Sequence, residues 1–406
     1  MSFQQGLSGL NAASKNLDVI GNNIANTNTV GFKHSEAQFA DMFANSLSGT
    51  GGNQAGIGVK VATIAQQFSQ GSITASNNPL DIAINGAGFY RLSDQGAVSY
   101  SRNGQFHPDK DGYIVNSSGL RLTGYTANAA GGINSAAPTD LRISTADLPP
   151  ATTGLVSALV NLDSREAPLS SAAFNVADPA TYHSSTSTLV YDSLGNPSTF
   201  STYFLKTAAN SWDVFAANDG GVLNGGSPIG GLDFLSNGAL DPLSSSTFSV
   251  TTPVGTGANP LAFDVNFAGT TQFGSSSAVN ALSQDGYASG QLTGFSVGAD
   301  GVIRGSYSSG KFLTLGQIAL ANFANPQGLE VHGNNTWKES SASGVALVSA
   351  PNSGGLGVLQ AGAVEDSNVE LTSELVNMIT AQRVYQANAQ TIKTQDQILQ
   401  TMVNLR

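Results

Sequence analysis

The sequence predicts a multidomain α+β chain. It has long N- and C-terminal helices forming an intersubunit coiled-coil core, and two nested antiparallel β domains, the middle one inserted in the first. Three observations predict this. From Val364 to Arg406 apolar residues recur every seven positions, with no Gly or Pro to break a helix. A second stripe with the same spacing occupies residues 3–26. Between them lie short alternating runs separated by Gly- and Asn-rich turns, the pattern of β structure.

The C-terminal stripe runs Leu371, Met378, Tyr385, Ile392 and Leu399, with Leu375, Ile379, Ala389 and Met402 between them. At 1.5 Å per residue a helix over this whole stretch is roughly 60 Å long, too long for one small core to cover. Gln382 and Asp396 interrupt the stripe and are expected at a subunit boundary or a wet channel. The N-terminal stripe is Phe3, Leu10, Leu17 and Ile24, flanked by Leu7, Ala13 and Ile20. The Asn-rich run from Asn22 to Asn28 is expected to end that helix. The shared spacing predicts that the two helices pair with each other, and that bulky residues left over are buried between copies of the chain.

Composition narrows the function. The 406 residues carry only 11% charged residues but 47 Gly, which suits short strands and many turns. There is no Cys, so no disulfide framework or thiolate metal site. Residues 146–285 hold two basic residues against eleven acids, while residues 1–145 are balanced at eight each. Phosphate contacts need clustered Lys and Arg, so no nucleic acid is expected as a partner. The first residues lack the features of a cleaved signal peptide, and no run has the length of a membrane span; no membrane insertion is expected.

The expected segments are 1–30 for the N-terminal helix, 31–75 for an extended connector with a flexible patch at Gly49–Asn53, 76–145 plus 286–360 for the first β domain, 146–285 for the inserted outer domain, and 361–406 for the C-terminal helix. Pro149 and Pro150 mark one boundary.

Three stretches imitate catalytic motifs. Gly305–Lys311 has phosphate-loop spacing, but Phe312 replaces the metal-binding hydroxyl and a strand is expected to follow. Gly294–Gly298 has the spacing of a nucleophile elbow, without the strand–turn–helix context. Asp109–Gly112 resembles the start of a calcium loop but lacks the Glu at position twelve. Each reads better as a β-turn. No enzyme activity, catalytic residue, cofactor or metal is expected.

The run Leu17-Asp-Val-Ile-Gly-Asn-Asn-Ile-Ala-Asn26, followed by Thr29-Val-Gly-Phe-Lys33, resembles the N-terminal signature of the bacterial flagellar rod and hook proteins. The resemblance continues in Asn78–Tyr90, Tyr100–Phe106 and Leu315–Phe323, and closes in Glu374–Asp396. It covers residues 1–145 and 286–406, and the middle only loosely. Within the family, the long insertion points to the hook branch, because a distal rod protein has no insertion as large. The resemblance implies a self-assembling structural subunit of a curved, flexible tube that transmits motor torque to the filament as a universal joint. It implies the distal rod, hook cap, hook–filament junction proteins and the flagellar type III export apparatus as partners. It also implies a place outside the cell, reached without a cleaved signal peptide. Asn22, Asn23, Asn26, Gly31, Phe32 and Lys33 match the family motif, with Gly31 expected as a hinge or a helix stop. The alternatives are a distal rod or hook–filament junction protein, or a secreted β-rich adhesin.

Overall fold

The computed structural model describes residues 2–42, 56–128, 131–144, 146–255 and 257–404. The expected flexible patch at 49–53 lies outside them. The chain forms two compact units. One comprises Met1–Ser144, Gly294–Gly305 and Phe312–Arg406; the other comprises Thr145–Thr293 and Ser306–Lys311.

The first unit opens with α1, Ser2–Ala25, which stops where Asn26 and Thr27 bond to the last helical carbonyls and Thr29 N–H donates to Asn26 O. Residues 31–75 are more than an extended connector. Strands β1 (Ser35–Met42) and β2 (Gly58–Gln66) pair antiparallel into a ribbon, with a bulge between Gln38 and Phe39. The mixed polarity of β1 hides its alternation in the sequence.

Two later crossings tie the ends of this unit together. Strand β3 (Ile73–Ala75) pairs with Ala363–Glu365, and β4 (Ile82–Asn85) pairs with Val358–Ala361. Beyond them Phe89–Asp94 pairs with Ala97–Ser101, Arg121–Thr126 and Leu320–Asn322. An aromatic cluster closes this core: the rings of Phe68, Phe323 and Trp337 meet Phe89 edge to face at 5.4–5.8 Å.

Helix α2 spans Leu371–Asn404, shorter at its start than the periodicity implied. Val364 belongs to a strand, and the chain enters the helix only after Asn368 has bonded across to the ribbon. Thirty-four residues give a rod about 51 Å long.

The second unit has two five-stranded sheets. In one, Ser184–Tyr191, Pro197–Ala208 and Ser211–Asn218 form an antiparallel meander. The other corrects the expectation of a purely antiparallel domain. Its central strand, Leu155–Asp163, pairs parallel with Leu261–Asn266 and Thr271–Phe273 and antiparallel with Ala278–Gln284. Hairpin turns set direction only between consecutive strands, and these partners arrive about a hundred residues later, free to run either way. The core draws Val156, Val160, Phe200, Phe204, Trp212, Phe263 and Phe267 from both sheets, so the unit is a sandwich.

Candidate assembly surface

Helices α1 and α2 pack antiparallel. A Cβ on Gly6 would touch Ile392 at 3.1 Å, and one on Gly9 would meet the Asn388 amide at 2.9 Å. At the far end the Asn23 amide donates to Glu374 Oε2 at 3.2 Å. The seam is therefore built from small residues that let the backbones approach: Gly6, Ala12, Ala13 and Ala381 are all buried. Ile20 is the one bulky stripe residue buried here, while Leu10, Leu17 and Ile24 are half-buried and Phe3 and Leu7 exposed.

On α2 the buried line is Glu374 and Ala381, with Asn388 half-buried, a seven-residue row adjacent to the one read from the sequence. Met378 and Ile392 are half-buried beside it. Leu371, Leu375, Ile379, Tyr385 and Leu399 face away, with Leu375 at 45% and Ile379 at 52% exposure. Gln382 and Asp396 are exposed too. A long helix thus carries one face occupied within the chain and a second, bulkier apolar face that the described residues leave open.

At the base of the helix pair a polar clasp replaces apolar packing. The buried side chain of Asn23 donates to Ser35 O at 2.8 Å and accepts from Ser35 N at 3.0 Å, fixing the ribbon to α1. Glu374, also buried, is met by Asn23, by Asn377 Nδ2 at 3.3 Å and by His34 Nε2 at 3.1 Å. Asn22 is exposed; its carbonyl accepts from the Asn26 side chain at 2.9 Å.

The next residues lead from the helix into the ribbon. The helix ends six residues before Gly31, and Gly31 is pinned by its own N–H donating to Glu365 O at 2.7 Å. Its φ of +69° and the Arg102 carbonyl carbon 2.6 Å from any Cβ explain why glycine is needed. Half-buried Phe32 follows in the turn, its N–H donating to Thr29 O.

Lys33 is fully buried and forms an ion pair there. Its Nζ lies 2.7 Å from Glu365 Oε1 and donates to Ser69 O at 2.8 Å. Arg102 reaches Glu365 Oε2 from the other side at 2.8 Å and donates to the carbonyls of Gly86 and Gly88. Burial lowers the Lys33 ammonium from its ordinary range, against the pull of Glu365. Burial would raise the Glu365 carboxyl, but Arg102 and then Lys33 outweigh it and hold it low. Glu365 had no signal in the sequence and Arg102 only its place in the family-like stretch Tyr100–Phe106; their pairing could not be read, because they lie 263 residues apart.

The motif look-alikes resolve into turns. Val297 ends one strand and Val302 begins the next, with Gly301 N donating back to Gly298 O. Lys311 is followed by the strand Phe312–Ile318. Asp109 Oδ1 accepts from the backbone N–H groups of Asp111 and Tyr113, both at 2.8 Å, as in an Asx turn. Among the described residues no helix is long and apolar enough to cross a membrane.

Family models match the chain along its length: a flagella basal body rod protein model at residues 3–33, the flagellar hook protein FlgE/F/G D1 domain at 83–157, the flagellar basal body protein FlaE D2 domain at 161–287, and the flagellar basal body rod FlgEFG protein C-terminal model at 360–405. The chain is 44% identical over 412 residues to the flagellar hook protein FlgE of Salmonella typhimurium and 43% identical over 410 residues to that of Escherichia coli K12, covering all of both proteins. The fold is similar to the crystal structure of Helicobacter pylori flagellar hook protein FlgE2, with a TM-score of 0.52 at 14% identity over 71% of this chain and 99% of that one. The chain belongs to the flagellar hook protein family.

Proposed function

We propose that this chain is the structural subunit of the flagellar hook and polymerises by burying the open apolar face of α2 between copies. The observation that carries the reading is that face itself. Leu371, Leu375, Ile379 and Leu399 are bulky, lie on the side of α2 turned from α1, and are uncovered by the small-residue seam. The described residues of one chain leave them uncovered, and neighbouring copies would bury them. The helices then form an intersubunit coiled-coil core, and each bulky residue buried there contributes about 1.5–3 kcal/mol.

The nested β domains, first 76–145 with 286–360 and then 146–285, stand outside that core and slide past their neighbours as the tube bends. The net acidic outer domain supports this with mutual repulsion in place of tight adhesion. Asn23, Gly31 and Lys33 join helices to β structure rigidly, so torque passes from core to outer domains. The polymer sits at the cell surface between distal rod and hook–filament junction, grows beneath a cap, and is supplied by the type III export apparatus without a cleaved signal. Full-length similarity to hook proteins favours this over the distal rod, junction or adhesin readings.

The test is Leu399→Asp or Leu17→Asp in the full chain. The β domains should unfold as in the parent while hooks disappear from electron micrographs; normal hooks with either change contradict the reading.

A further inference from the structure

We propose that Asn224 is a site of spontaneous modification, where the side chain closes on the Gly225 nitrogen, loses ammonia and becomes Asp or isoaspartate, and that Gln70 shields Asn85 from the same fate. The reaction needs only one folded chain, so it stands apart from the hook-subunit reading.

Asn–Gly dipeptides occur at four places, 85–86, 103–104, 224–225 and 237–238. A following glycine leaves the attacking backbone nitrogen unshielded and free to rotate. With the same two residues at each place, the surrounding fold decides which can react. Ring closure requires the glycine N–H to leave its acceptor and the peptide to swing towards the Asn Cγ.

Three of the sites are held. Gly86 N–H donates to Gln70 Oε1 at 2.9 Å, and Gln70 Nε2 donates to Asn85 Oδ1 at 3.4 Å. Arg102 holds the Gly86 carbonyl from the other side at 3.0 Å. Gly104 is buried, its carbonyl accepts from Ile82 N at 2.9 Å, and a Cβ there would run into Ile82 O. Gly238 is buried too, with its N–H on Leu235 O at 2.9 Å and its carbonyl on Gln272 N at 2.8 Å.

Asn224 and Gly225 are both exposed, in the 3-10 turn Asn224–Gly226. Beyond its chain neighbours nothing lies within 4 Å of a Cβ placed on Gly225, and among the described residues its N–H has no acceptor. The Asn224 side chain bonds within the same turn, Nδ2 donating to Pro228 O at 2.8 Å. Both residues sit in the left-handed region, at φ +52° and +61°, which the chain gives up at little cost.

In the first step the Gly225 N–Asn224 Cγ bond forms and the Cγ–Nδ2 bond breaks. The departing nitrogen takes the Gly225 proton and leaves as ammonia. Water then opens the ring at either carbonyl, giving Asp or isoaspartate, with nothing oxidised or reduced. Either product raises the acids of residues 146–285 from eleven to twelve.

The test holds the full-length folded chain at mildly alkaline pH beside the same chain unfolded in guanidinium chloride, and follows all four sites by peptide mass mapping. The reading is taken when half of Asn224 has converted in the unfolded chain, where all four sites react alike. In the folded chain Asn224 should have converted at least roughly tenfold faster than Asn85, Asn103 and Asn237, whose hydrogen bonds must open first. An Asn224 still intact at that time, or equal conversion at all four sites, overturns the proposal. Gln70→Ala, at an exposed position, should speed conversion of Asn85 several-fold and leave Asn224 unchanged. An unchanged Asn85 overturns the shielding by Gln70.

Discussion

Lys33 Nζ lies 2.7 Å from Glu365 Oε1 with both side chains wholly buried, joining the end of the N-terminal motif to the entry of α2 across 332 positions of sequence. Arg102 completes the cluster from the β domain, so two cations share one carboxylate. Replacing Glu365 by Gln leaves both cations without a counter-charge and should cost about 3–5 kcal/mol. The readout is the denaturant midpoint of the unassembled full-length chain. A loss under about 1 kcal/mol would mean that the cluster is solvated in solution.

The same carboxylate gives a pH dependence with a definite sign. The fold holds the Glu365 carboxyl below its ordinary value of 4.5, so between the two values the unfolded chain binds more protons. Its contribution is fully present above about pH 4.5 and is lost as pH falls through the folded value. Unfolding measured at pH 7 and again toward pH 3 should show a steeper decline for the parent than for Glu365→Gln. Equal declines would exclude Glu365 as a source of acid lability.

Gly31→Ala tests the rigid joint. The new Cβ meets Arg102 and Asn103 backbone atoms at 2.6 Å, and the left-handed φ adds strain. About 2–4 kcal/mol of destabilisation is expected, seen as a lower urea midpoint with an unchanged slope. A free hinge would accept alanine at no such cost.

In the second unit Trp212 is buried between the two sheets, its indole N–H donating to Gln272 Oε1 at 2.6 Å. Trp212→Ala should destabilise that unit by about 3–5 kcal/mol. Differential scanning calorimetry should then show one transition moved down while that of the helix-bearing unit stays in place. Equal movement of both would show that the units unfold as one.

These residues mark how far the sequence could be read. Seven-residue spacing identified both helices because Phe3, Leu10, Leu371 and Met378 are bulky and regularly placed. It named the wrong row for the contact within one chain. Close approach is set by Gly6, Gly9, Ala13 and Ala381, whose small side chains leave little hydrophobic signal. Gly- and Asn-rich turns located the strands around them, whereas β1 of the ribbon, without clean polar–apolar alternation, could not be read. Lys33 and Arg102 lie in family-like stretches, but their meeting with Glu365 could not be read, since the fold alone brings the three distant segments together. Parallel pairing of Leu155–Asp163 escaped for the same reason.

The central claim is that the open face of α2 is an interface between copies. The most direct measurement is sedimentation with electron microscopy of full-length Leu375→Asp, a position 45% exposed on the open face. The account predicts a chain whose thermal unfolding matches the parent but which stays in the supernatant and forms no tubes. Tubes of normal length and curvature from this variant would contradict it.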